Sequence, residues 1–237
     1  EVMARQRRLL IWLNEPCHNP TGTGLCMEDR HLLNALLEEL SQEGPVTLLL
    51  DAAYLDYAAD PLAVRTALDL WAGWGRTGRF LVGVSLSLSK SLTLYGARCG
   101  ALVFPWVQSD QLQKALGQIC RGMFSTSPRA PQEVEKMLAG DMAAQRDLLA
   151  EHRHWSGVLA ARARALDSAL VERGRTPCGW TGGFFVTLPA ESPKEVQERM
   201  KGEGVFVVAT QGGVRVGICG LKACDAPRLA MAYKRAQ

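Results

Sequence analysis

No run in this 237-residue sequence approaches the roughly 18 uninterrupted apolar residues of a membrane-spanning helix. Its opening residues show no charged-then-apolar export signal either. An excess of one charge is also missing, since 27 Lys+Arg stand against 24 Asp+Glu for a formal net of +3. That balance gives no electrostatic case for nucleic acid or an anionic membrane as partner. The seven cysteines (Cys17, Cys26, Cys99, Cys120, Cys178, Cys219 and Cys224) contain no C-x-x-C pair. They read as reduced thiols in a cytoplasmic protein. No metal site is expected. Cys219 and Cys224 lack a paired partner set, and His152 and His154, two apart, diverge across a helix and belong to its surface. Internal repeats and low-complexity tracts are absent too. What is present, 47% apolar and 22% charged residues, excludes disorder and suits one large domain or two unequal ones.

Apolar β-branched runs alternate with helical patterns through the first half. Leu9 to Leu13 reads as a strand ending in a polar loop at 14–24. The next helix carries Glu28 and Asp29 in its first turn, with Leu32, Leu33, Leu36, Leu37 and Leu40 on one face. Val46 to Leu50 is a continuous apolar run, as in a strand covered on both faces. Phe80 to Leu86 and Cys99 to Phe104 follow, joined by a link too short for a helical crossover, which predicts an antiparallel last strand. The stretch 111–171 is almost wholly helical, with an interruption near 125–131. Short strands at 183–188, 205–209 and 214–219, with helices at 193–201 and after Ala226, form a small α+β unit. The fold class is α/β.

Ligands of a parallel sheet bind beyond the carboxyl ends of its strands. Polar groups gather there: Asn19 after the first strand, Asp51 and Tyr54 after the second, Ser87, Ser89 and Lys90 after the third. A lysine at the end of a buried strand is costly unless paired, neutralised or used covalently. Each residue taken singly has a plainer reading. Lys90 could snorkel to water, Asp51 could cap a turn, Asn19 could start one, and Arg98 and Arg215 could be surface charges. Two patterns are set aside. GWGRTG at 73–78 fits the dinucleotide fingerprint, but a helix precedes it and a strand follows, so it reads as a turn. Arg5, Arg7 and Arg8 form a short basic run at a helix end or on the surface.

Five strings occur in one register: NPTG at 19–22, DAAY at 51–54, SLSK at 87–90, YGARCG at 95–100 and GVRVGICGL at 213–221. In this order and spacing the chain resembles the fold-type-I pyridoxal-phosphate (PLP) enzymes, most closely the aspartate/aromatic aminotransferases (class I/II). The resemblance implies a PLP-binding large domain with a mainly parallel sheet, incomplete here, over 1–140. A long connecting helix and a small C-terminal α+β domain would occupy 141–237. It implies pyridoxal 5′-phosphate as cofactor, held by Asn19, Asp51, Tyr54, Ser87, Ser89, Lys90 and Arg98, with Lys90 the catalytic Schiff-base and proton-transfer residue. Arg215 would clamp the substrate α-carboxylate. Arg121, in RGMFSTSP at 121–128, would reach a neighbouring subunit's pocket for a distal carboxylate. The partners implied are an amino acid, a 2-oxo acid and a second copy of the chain.

The sequence departs from that pattern in places. Thr126 and Ser127 stand where the family has Asn and Pro, Asn14 where it has a His, and Asp56 where it has a Gly. The family's segments before Leu9 to Leu13 have no counterpart, which leaves both edges of the sheet bare. A fragment of a longer protein is the expectation, and Glu1 is no initiator. Another PLP reaction, lyase or decarboxylase, and a non-catalytic remnant are the alternatives.

Overall fold

Val46–Asp51 alternates buried and half-buried side chains and forms one of two inner strands of a four-stranded sheet. This is a computed structural model, and it describes residues 1–237. In chain order the first elements are α1 (Val2–Gln6), β1 (Leu9–Asn14), α2 (Met27–Glu43), β2 (Val46–Asp51), α3 (Pro61–Thr77), β3 (Leu81–Ser87), α4 (Leu88–Ser91) and β4 (Gly100–Val103). Then come α5 (Asp110–Met123), α6 (Arg129–Gly140), α7 (Met142–Val171), β5 (Phe185–Pro189), α8 (Pro193–Gly202), β6 (Val208–Thr210), β7 (Gly213–Gly217) and α9 (Ala226–Ala236). The chain divides into two compact units. The first comprises Glu1–Asn14, Leu25–Ala53 and Leu62–Leu149, the second Glu15–Gly24, Tyr54–Pro61 and Ala150–Gln237.

In the first unit the sheet order is β1-β2-β3-β4. The first three strands are parallel and β4 is antiparallel to β3, as the short link requires. The unit has the expected α/β class, with Val46, Leu48, Leu50, Val82 and Val84 buried. A fully buried Leu or Val contributes about 1.5–3 kcal/mol. α3 turns Val64, Ala67, Trp71 and Trp74 inward at helical spacing. The GWGRTG stretch is not a turn, because Gly73 to Thr77 close α3. Burial of Trp71 and Trp74 carries the helix through two glycines, and the chain reverses only at Gly78, whose φ is +67°.

α2 begins where the acidic pair predicts, with Cys26 as N-cap accepting from the Asp29 amide at 3.4 Å. Its leucine face is not a uniform core stripe. Leu37 is fully buried, whereas Leu32 is 70% exposed and Leu36 is also exposed. Helical periodicity marks a face, but how much of it is covered depends on the elements present to cover it. The outer strands show the same thing. Trp12 of β1 is 64% exposed, and every residue of β4 is exposed.

The second unit holds a three-stranded antiparallel sheet of order β5-β7-β6. α8, α9 and the later turns of α7 supply Leu166, Leu170, Met200, Ala230 and Tyr233 to a core with Val186, Leu188, Val214 and Ile218. The strand expected over 205–209 begins only at Val208. Val205 and Val207 are buried while Phe206 is exposed, so the alternation is strand-like, yet the ladder to β7 covers only Val208 to Thr210.

Gly22 fixes the 15–24 loop in this unit. Its φ is +71°, and an added Cβ would run into the Phe185 carbonyl oxygen and lie 2.8 Å from Trp180 Cδ1. The Gly22 carbonyl accepts from the Thr181 amide at 2.8 Å and from the Thr181 hydroxyl at 3.2 Å. Gly22→Ala is expected to cost about 2–3 kcal/mol. The check is a lowered urea midpoint at unchanged slope.

Candidate active site

Parallel pairing in the first unit puts Asn14 opposite Asp51 and Asp51 opposite Ser85 at the carboxyl ends of β1, β2 and β3. The Asn14 side-chain amide donates to the Asp51 carbonyl at 2.8 Å. Asp51 Oδ1 accepts from the Ala53 amide at 3.2 Å. That contact fixes the carboxylate and leaves Oδ2 for a ligand.

Beyond β3 the chain turns at once into α4, where the Ser91 hydroxyl donates to the Ser87 carbonyl at 3.1 Å. Ser89 is buried and Lys90 half-buried. Lys90 Nζ lies 4.2 Å from the centroid of the Tyr95 ring. Arg98, in left-handed conformation with φ 51°, donates from Nη1 to the Tyr95 carbonyl at 2.9 Å and lies 3.4 Å from the Ser89 hydroxyl. The structure therefore gathers Ser89, Lys90 and Arg98 on one short loop, one strand away from Asp51. An amine, a carboxylate, hydroxyls and a guanidinium with free N–H donors make this end of the sheet suited to an anionic, carbonyl-bearing ligand.

The second unit brings Asn19 and Arg215 together. β7 is the central strand, and Arg215 stands opposite Thr187 of β5 and Val208 of β6. Its Nη1 donates to Asn19 Oδ1 at 3.2 Å, and its guanidinium carbon lies 4.4 Å from the Phe185 ring centroid. The Thr187 hydroxyl donates to the Pro20 carbonyl at 3.0 Å, holding the loop that carries Asn19. A half-buried guanidinium fixed by an amide oxygen and an aromatic face keeps further donors for a carboxylate. Tyr54 is buried, with ring edges against Phe184 at 5.3 Å and Phe185 at 6.1 Å. Arg121 lies in the exposed last turn of α5, a helix with no buried residue, and hydrogen-bonds none of the other candidates.

Three residues were not singled out by sequence. Tyr95 faces Lys90, Phe185 faces Arg215, and Thr187 anchors the Asn19 loop. Tyr95 sits inside YGARCG, five positions after the lysine, and that spacing was its only signal. Phe185 and Thr187 need the strand register before they can be placed. One histidine reading is corrected. His154 is exposed, but His152 is buried, with Nδ1 3.9 Å from Asp56 Oδ1 and its ring 5.6 Å from that of Tyr57. The divergence of the two histidines is real, but one of the faces it reaches is covered. None of the seven cysteines is joined in a disulfide. Burial, then the Glu15 charge, pushes the Cys17 thiol up to about 12. Burial, then the thiol's hydrogen bond to the Asp167 carboxylate, does the same for Cys178, also to about 12. Both stay protonated and unreactive at neutral pH.

Comparison with known proteins gives a consistent picture. The family described as aminotransferase class I and II matches residues 4–232. An aspartate aminotransferase of Pseudomonas aeruginosa is 29% identical over 225 residues, covering 89% of this chain and 52% of that protein. An aromatic-amino-acid aminotransferase of Escherichia coli is 27% identical over 233 residues, covering 95% of this chain and 56% of its own. The chain thus spans about half the length of the relatives it matches. Among solved structures, an aminotransferase from Anaerococcus prevotii superposes with a TM-score of 0.86 at 26% identity, over 95% of this chain and 56% of that one. An aromatic-amino-acid aminotransferase from Burkholderia pseudomallei, covalently bound to pyridoxal phosphate, shares the fold with a TM-score of 0.77 at 23% identity, over 96% and 56%.

Proposed function

This chain belongs to the aminotransferase class I and II family, and from that membership we propose that it transfers an α-amino group between an amino acid, dicarboxylic or aromatic, and a 2-oxo acid, with pyridoxal 5′-phosphate as cofactor. The observation that carries the proposal is the first unit's loop, where Lys90, Ser89 and Arg98 are held together one strand away from Asp51. The donor set fits the cofactor. Its amine suits the aldehyde, its carboxylate the pyridine nitrogen, and its guanidinium and hydroxyls the phosphate.

When bound, this cofactor supplies an electron sink for the carbanion at the substrate Cα. The chain's own residues do the rest. Asp51 Oδ2 holds a proton at the pyridine nitrogen. Arg98, Ser87 and Ser89 bind the phosphate through charge-assisted hydrogen bonds. Lys90 Nζ would take the proton from the substrate Cα and return it to the cofactor's aldehyde carbon, across the nitrogen that lies between them, general acid–base work by a lysine whose charge state is easily tuned. Asn19 and Tyr54 donate to the cofactor's phenolic oxygen. Arg215 takes the substrate α-carboxylate in a two-point fork. The working form is a cytoplasmic homodimer, with Arg121 serving its neighbour's pocket.

The test is isotopic. With cofactor added, ¹⁵N-aspartate and 2-oxoglutarate should give ¹⁵N-glutamate. Release of carbon dioxide or ammonia without ¹⁵N transfer would instead mark a decarboxylase or lyase, and no turnover of any kind a remnant. Arg121→Leu should depress transfer from aspartate and glutamate about 10-fold or more relative to phenylalanine and tyrosine, since it removes the partner of a second carboxylate. Equal losses for both substrate classes would take Arg121 out of the site.

A further inference from the structure

The Lys90 side chain does not simply extend from its helix. Its ammonium stands over the face of Tyr95 at 4.2 Å, well inside the distance of about 6 Å at which an aromatic quadrupole attracts a cation. The geometry points to Tyr95 as a positioning residue, whose ring is the seat of the Lys90 ammonium whenever that amine is not covalently engaged.

The loop is built to hold that pair. Lys90 sits in α4, and Tyr95 opens the short 3₁₀ turn Tyr95–Ala97. Between them the Thr93 amide donates to the Lys90 carbonyl at 3.2 Å, and the Ala97 amide to the Leu94 carbonyl at 3.0 Å. Arg98 then staples the two ends, reaching the Tyr95 carbonyl and the hydroxyl of Ser89, the residue beside Lys90. Further along, the Leu88 amide donates to the Cys99 carbonyl at 3.1 Å, so both stems are joined. A ring on an otherwise exposed loop would turn freely. Here the backbone on either side of it is tied to the segment that carries the lysine.

This bears on function in one respect, and it rests there on the reading of Lys90 given above. An amine that alternates between covalently joined and free states needs a defined position when free. A long, flexible side chain otherwise spreads over many rotamers, at a cost approaching 2 kcal/mol to gather again. The ring face supplies an attraction strong enough to select one position and weak enough to release it. The attraction acts through the ring face, so phenylalanine should serve and an aliphatic residue should not.

The test uses the cofactor-free chain, so its failure is separate from failure of the catalytic reading, which cofactor titration checks independently. Lysines are reductively methylated with ¹³C-formaldehyde, and the Lys90 signal among the seven lysines is assigned with Lys90→Arg. The Lys90 methyl resonance should lie upfield of the others in the parent and in Tyr95→Phe, through the ring current, and join them in Tyr95→Leu. Acylation of Lys90 at fixed pH, quantified by mass spectrometry, should be about 2- to 5-fold faster in Tyr95→Leu, because only the neutral amine reacts. Tyr95→Phe should match the parent. A Lys90 resonance that coincides with the other lysines in the parent would overturn the inference. So would an upfield position, or an acylation rate, unchanged in Tyr95→Leu.

Discussion

Lys90→Ala is expected to lower amino-group transfer by about 10⁴-fold or more. Proton transfer by a positioned side chain alone is worth about 10²- to 10⁴-fold, and in the proposed function this lysine is also the nucleophile that joins the cofactor. The fold should be indifferent to the change. Lys90 is half-buried at the end of α4, and the loop keeps its Arg98 staple to the Tyr95 carbonyl and Ser89 hydroxyl. Unaltered far-ultraviolet circular dichroism and melting should accompany the loss. Lys90→Arg sharpens the experiment. A guanidinium retains the charge and the attraction to the Tyr95 ring, yet cannot give up a proton near neutral pH. It should be as inactive as the alanine variant, whereas a role confined to charge pairing would leave it active.

Arg215→Ala should reduce kcat/KM for every amino-acid substrate by about 30- to several-thousand-fold, the equivalent of the 2–5 kcal/mol lost when one partner of a buried charge pair is removed. The loss should appear mainly in KM, because a carboxylate clamp serves ground state and transition state alike. Arg215 already donates to Asn19 and lies against Phe185, so the variant also removes one donor from the Asn19 side-chain oxygen. Arg215→Lys separates these effects. A point charge can reach one carboxylate oxygen but cannot make the fork, and an intermediate KM is expected. Cofactor affinity should stay unchanged in both variants. Loss of cofactor would assign Arg215 to structure rather than to substrate.

Much of this architecture was legible in the sequence, for reasons that can be located. β2 and β3 announce themselves because a strand buried on both faces needs an unbroken apolar run. The antiparallel β4 follows from a link that cannot hold a crossover helix. The positions of Asp51 at the end of β2 and of Lys90 just beyond β3 follow from where those runs stop. Other features depend on facts that periodicity does not hold. The leucines of α2 share a face, but Leu32 and Leu36 are exposed, because an amphipathic stripe does not say whether anything covers it. His152 is buried against Tyr57 and near Asp56, a contact between residues nearly a hundred positions apart. Residues 73–77 stay helical because Trp71 and Trp74 are buried, where glycine content alone favours a turn. Of the pairings in the site, Asn19 with Arg215 and Lys90 with Tyr95 required the folded chain, since one spans 196 positions and the other depends on a loop stapled by Arg98.

The central claim, that Lys90 is the residue joined to pyridoxal phosphate, is tested most directly by trapping. The 237-residue chain is mixed with the cofactor, reduced with borohydride, digested and mapped by mass spectrometry. Lys90 is the sole lysine before Lys114, so its peptide is unambiguous. The expected result is one pyridoxyl group per chain, on Lys90, accompanying a near-visible absorption band that borohydride abolishes. A reduced adduct spread over Lys114, Lys136, Lys194 and the other surface lysines, or no adduct at all, would contradict it.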